Sequence, residues 1–100
     1  MKYLLALLLL LGSFSSYALE TAVGEVARIY PSGNTVSFKL KKDQCNPNHK
    51  YYYFTLDSEV KKAWYALILA AANSAKPIRV SVAECPTDAN VEIRYLLQDF

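Results

Sequence analysis

Past an apolar opening run, hydrophobic and polar positions alternate. In "TVSFKLKK", Val36, Phe38 and Leu40 fall on one side and Thr35, Ser37, Lys39 and Lys41 on the other. That is the period of a half-buried strand, and one wet face implies an antiparallel sheet. "YYYFTL" repeats the pattern, with Tyr52, Phe54 and Leu56 on one face and Tyr51, Tyr53 and Thr55 on the other. The Phe54/Leu56 face is expected inside. Tyr51 and Tyr53 then point outward, beside the lysines of the preceding strand. "ETAVGEVARIY" (Glu20 to Tyr30) reads as an earlier strand of poorer alternation, with Gly24 marking a bulge where it bends. "PSGN" at Pro31 to Asn34 supplies the turn after it. Later, "IRVSV" places Ile78, Val80 and Val82 inward, and "VEIRYLLQ" places Val91, Ile93, Tyr95 and Leu97 on one face.

Between the third and fourth strands the period changes. In "SEVKKAWYALILAAANSA", Val60, Trp64, Leu67, Ile68 and Ala71 fall on one helical face. Tyr65, Leu69 and Ala72 widen it, leaving mainly Lys61, Lys62 and Asn73 to solvent. A helix this apolar is expected to be largely covered. Asp57 is its expected N-cap and Glu59 suits the dipole of its first turn. Asn73 to Pro77 ends it.

Three strands, one helix and two strands make a mainly β domain with one helix, in the order β-β-β-α-β-β. That is the order of the five-stranded Greek-key barrel called the OB-fold, whose helix lies between strands three and four. An open antiparallel sheet with the helix packed across it is the competing layout. Cys45 and Cys85 lie in the loops after the second and fourth strands. Strands three and five of such a barrel run parallel, so the two loops emerge at one rim. The topology can therefore bring their Cα atoms within the 4.4–6.8 Å span of a disulfide.

The opening run supplies the compartment. Met1-Lys2, the apolar "YLLALLLLL" and Ser16-Tyr17-Ala18 read as a signal peptide over residues 1–18. The run falls short of the roughly 20 apolar residues of a spanning helix, and as an uncleaved amphipathic anchor it lacks a polar face. The expected mature chain is a single domain, Leu19 to Phe100, periplasmic or secreted. In an oxidising compartment the two cysteines are expected to pair, a closure worth about 3–4.5 kcal/mol in the chain-entropy model. Residues 19–100 carry 10 Lys and Arg against 9 Asp and Glu. That balance gives no strong field for nucleic acid or anionic lipid.

The segment "AWYALILAAANSAKPIRVSV" (Ala63 to Val82), an aromatic-rich helix running into an alternating strand, resembles the B subunits of pentameric bacterial toxins. It is similar also to small periplasmic OB-fold proteins of Gram-negative bacteria. The likeness covers a quarter of the mature chain and implies an OB-fold, glycan binding and ring assembly. The chain departs from the toxin subunits in being short, and no ligand-contacting motif transfers residue by residue.

Tyr51 and Tyr53, with Lys39, Lys41 and Lys50 nearby, form a candidate platform for a glycan or a protein. OB-folds commonly bind on the face of strands two and three. The plainer account of the tyrosines is cross-strand packing. Trp64 and Tyr65 read as core residues capping the barrel, or as anchors of a homo-oligomer interface. Asp43, Cys45 and His49 resemble a metal cluster, but a zinc site needs four ligands and Cys45 is expected to be bonded. With one histidine and no Gly-x-Ser-x-Gly pattern, no enzyme, cofactor or metal site is expected. Glu84, Asp88 and Glu92 more simply solvate a loop. Phe100 is the final residue, as in outer-membrane barrels, but Glu92, Arg94 and Gln98 occupy alternate positions where a lipid-facing strand needs apolar residues. No stable membrane insertion is expected.

Overall fold

The computed structural model describes residues 19–99. The signal-peptide reading of residues 1–18 and the reading of Phe100 lie outside them. Six strands and one helix follow in the order β1 (Glu20–Gly24), β2 (Val26–Ser32), β3 (Thr35–Leu40), β4 (Tyr52–Thr55), α1 (Glu59–Ser74), β5 (Ile78–Val82) and β6 (Val91–Leu97). They form one mixed sheet of order β1-β5-β6-β4-β3-β2. All neighbours are antiparallel except β4 and β6, which run parallel through Tyr52↔Val91 and Tyr53↔Glu92.

The five-strand expectation is corrected to six. The segment read as one strand is two, broken at Glu25. Its halves pair with different partners, β1 with β5 and β2 with β3. They are therefore the two edges of the sheet, joined by a single residue, and the sheet must curl to bring those edges together. Gly24 is required at this corner, because a Cβ there would stand 2.8 Å from the carbonyl oxygen of Lys41. Beside it, the Lys41 amide donates to the Glu25 carbonyl at 2.8 Å.

The interior is built from the inward positions that alternation picks out. Val36, Phe38, Tyr52, Phe54, Ile78, Val80 and Val82 are all fully buried. Phe38 stacks against Tyr52 and Phe54, with ring centroids 5.6 Å and 6.3 Å apart. The last strand departs from its pattern. Its pairing with β5 shifts register between Ser81↔Tyr95 and Val82↔Ile93, so Arg94 is an extra residue. Beyond that bulge the faces exchange. Leu96 is buried, while Tyr95 and Leu97, expected inward, are 60% and 40% exposed.

The helix cap is also corrected. Ser58, not Asp57, is the N-cap, its hydroxyl accepting from the Lys61 amide at 3.3 Å, and Asp57 instead pairs with Lys61 at 3.1 Å. Ala75 closes the helix in the left-handed conformation, φ 54°. The helix is less covered than its composition predicts. Only Ile68 and Ala71 are buried, Trp64, Tyr65 and Leu67 pack partly against the core, and Val60 and Leu69 are 62% and 45% exposed. Trp64 meets Phe54 edge to face at 5.6 Å.

Candidate functional site

The β3–β4 and β5–β6 loops leave the strand ends opposite those joined to α1. They meet at one rim. The Cys45–Cys85 disulfide spans them with Cα atoms 5.1 Å apart, as the parallel arrangement of β4 and β6 requires. The rim is also stitched by asparagines. Asn48 Nδ2 donates to the Thr87 carbonyl at 2.8 Å, and Asn90 Oδ1 accepts from the Tyr51 amide at 2.9 Å. Asn46, the buried polar side chain of the region, bonds both backbone groups of Lys50. Asp43 accepts from the Cys45 amide and from the Tyr52 hydroxyl. These contacts hold β4 in place where it enters the sheet.

Outside the sheet, register determines what stands together. Arg28 on β2 is directly opposite Lys39 on β3, and Tyr30 is opposite Ser37. Ser37 is in turn opposite Tyr53 on β4. Tyr51 completes the group just before β4. The Lys39 ammonium lies 4.6 Å above the Tyr51 ring centre, and Arg28 Nη1 donates to the Tyr51 hydroxyl at 3.2 Å. The Tyr30 and Tyr51 rings meet edge to face at 6.1 Å. The Arg28 hydrogen bond draws the Tyr51 phenol below its ordinary range, aided by the positive charges of Arg28 and Lys39. The same bond raises Arg28. Tyr52, one residue on, faces inward, and burial followed by its bond to Asp43 pushes its phenol far upward.

Tyr51, Tyr53 and Lys39 thus share the outer face. Lys41 does not join them through any such contact. It stands past the end of β3 and lines a separate hollow with Gly24, Glu25, Ala75 and Pro77. Arg28 and Tyr30 belong to the face and are additions to the sequence reading. The signal for them was present in "ARIY", where both alternate with Ile29. The structural asparagines had no such signal, since periodicity says nothing about loops.

An open hollow of about 450 Å³ adjoins Lys39, lined also by Lys42, Asp43, Asn46, Pro47 and His49. His49 is exposed on this loop with φ 57°, and the Cys45 sulfur is bonded to Cys85. Among the described residues no group of three or more His, Cys, Asp or Glu is placed to hold a metal ion, and no helix is long and apolar enough to cross a membrane. Comparison with known proteins found no matching family model, no similar curated protein and no similar solved structure.

Proposed function

We propose that the protein is an exported, non-catalytic binding module that contacts a glycan or a protein through the outer face of β3 and β4. The observation that carries this reading is the cluster of Tyr30, Tyr51 and Tyr53 on the solvent side, interleaved with Arg28 and Lys39. Aromatic rings with polar edges suit sugar faces, and an asparagine of the rim ties the Tyr51 backbone beside them. The join of β1 to β2 supports an OB-type Greek-key barrel, with β1 and β2 as the two halves of its first strand. The resemblance to toxin B subunits and periplasmic OB-fold proteins is part of the same proposal. The disulfide supports an oxidising compartment, in keeping with the leader read at residues 1–18. The absence of catalysis is favoured by chemistry: both cysteines are oxidised and the lone histidine is exposed.

A Tyr51→Ala/Tyr53→Ala variant tests this reading. It is expected to keep the circular dichroism of the parent and lose retention on a glycan array or on an immobilised protein ligand. Equal retention by both forms, or none by either, refutes it.

A second reading, assembly through the helix, is favoured by the exposure of Val60 and Leu69 flanking Trp64 and Tyr65. Light scattering decides it, since a strict monomer at high concentration excludes a homo-oligomer built on that face.

A further inference from the structure

Arg28 and Lys39 are directly opposite each other on adjacent strands and face the same way. Like charges in that position destabilise a sheet. Their nearest polar partner is a phenol: one bonds the Tyr51 hydroxyl and the other sits over its ring. Among the described residues the ion pairs are Lys61–Asp57, Lys62–Glu59 and Arg79–Asp99, so neither Arg28 nor Lys39 has a carboxylate. Lys39 also borders the rim hollow, where Lys42 adds a third cation without a carboxylate. Asp43 lines that hollow too, but its oxygens already accept from Tyr52 and Cys45. On the other flank Glu92 stands opposite Tyr53 and bounds the positive track. Net charge conceals this arrangement, since the near balance of acids and bases says nothing about which side chains the strand register brings together.

Resting on the binding reading above, we infer that the ligand of this face is an acidic polysaccharide whose sulfate or carboxylate groups lie along Arg28, Lys39 and Lys42, with a sugar ring against the tyrosines. A guanidinium and an ammonium set against Tyr51, with a further ammonium lining the adjoining hollow, favour repeated anionic groups over a single one. A saccharide fits better than a single-stranded nucleic acid, because the Cys45–Cys85 disulfide belongs to an oxidising compartment outside the cytosol.

The test uses the protein as the cell processes it, with a heparin oligosaccharide, dextran of similar length and oligothymidylate as probes. Heparin is expected to bind with an affinity that falls steeply as salt rises. An Arg28→Gln/Lys39→Gln variant, altered only at exposed or half-exposed positions, is expected to stay folded and lose about tenfold or more in heparin affinity. A Lys76→Gln control is expected to lose none. Heparin binding unchanged in the double variant overturns the assignment of these two residues. Oligothymidylate binding as tightly as heparin overturns the saccharide class. Failure of heparin to bind overturns this inference and leaves the binding reading standing, which falls only with the Tyr51→Ala/Tyr53→Ala retention test.

Discussion

Tyr52 is fully buried and donates its hydroxyl proton to the Asp43 carboxylate, tying the first strand residue of β4 to the loop that precedes it. Both ends of this bond have structural duties. Tyr52 stacks on Phe38 in the core, and Asp43 also fixes the turn at Cys45. The Tyr52→Phe variant keeps the ring and removes the bond. It is expected to unfold at lower denaturant concentration, with a loss of about 1 kcal/mol.

The same bond fixes a pH dependence. The folded-state pKa of Tyr52 is raised above its unfolded value, by burial first and Asp43 second. Its contribution is therefore fully present below about pH 10, the unfolded value, and is lost as pH rises beyond it. As pH rises above about 10 the parent should lose more stability than Tyr52→Phe. Parallel stability curves for the two proteins would contradict this.

At the corner between β1 and β2, Gly24→Ala sets a methyl group against a backbone carbonyl that cannot swing away. A loss of about 1–3 kcal/mol is expected. Gly33→Ala is the informative comparison, because there is open space around Gly33 but its φ is +60°. It should cost about 1–2 kcal/mol through backbone strain alone, and Gly33→Asn should cost less than Gly33→Ala.

The helix end offers a gain. Ala75 holds φ 54° with its amide bonded to the Ala71 carbonyl, a conformation that favours glycine. Relief of the strain exceeds the added chain entropy, so Ala75→Gly should raise stability by about 0.5–1 kcal/mol. An unchanged or lower melting temperature would refute this.

Reduction of Cys45–Cys85, or a Cys45→Ser/Cys85→Ser variant, should cost about 2–5 kcal/mol. The Asn48–Thr87 and Asn90–Tyr51 bonds remain to hold the rim. The variant is expected to keep its far-ultraviolet circular dichroism at low temperature and to melt earlier than the oxidised parent.

Alternation located the inner faces of β3, β4 and β5 and the outward tyrosines, because a period of two leaves no choice once one face is buried. It failed wherever the period was interrupted. Arg94 adds one residue to β6 and exchanges the positions of Tyr95 and Leu96. Glu25 divides a single apolar stretch between two partners, which composition does not record although Gly24 hinted at the bend. Helix composition was misleading for another reason. Alanines count as apolar in the pattern, yet Ala63, Ala66 and Ala70 remain exposed. At the candidate site, Tyr51, Tyr53 and Lys39 were legible, whereas the confrontation of Arg28 with Lys39 depends on strand register, which one sequence does not display.

The only parallel ladder among the described strands joins β4 to β6 through two residue pairs, shorter than its antiparallel neighbours on either side. A sheet opens first along its shortest joint. Here that joint runs beside Tyr53, and the sulfur tether at the rim limits how wide it can gape. Amide hydrogens of β4 and β6 that point across the joint should therefore exchange ahead of those between β2 and β3, and the tyrosine face would flex with them. A ligand on that face would brace the sheet at its shortest ladder, and its binding should be readable as slowed exchange at Tyr53.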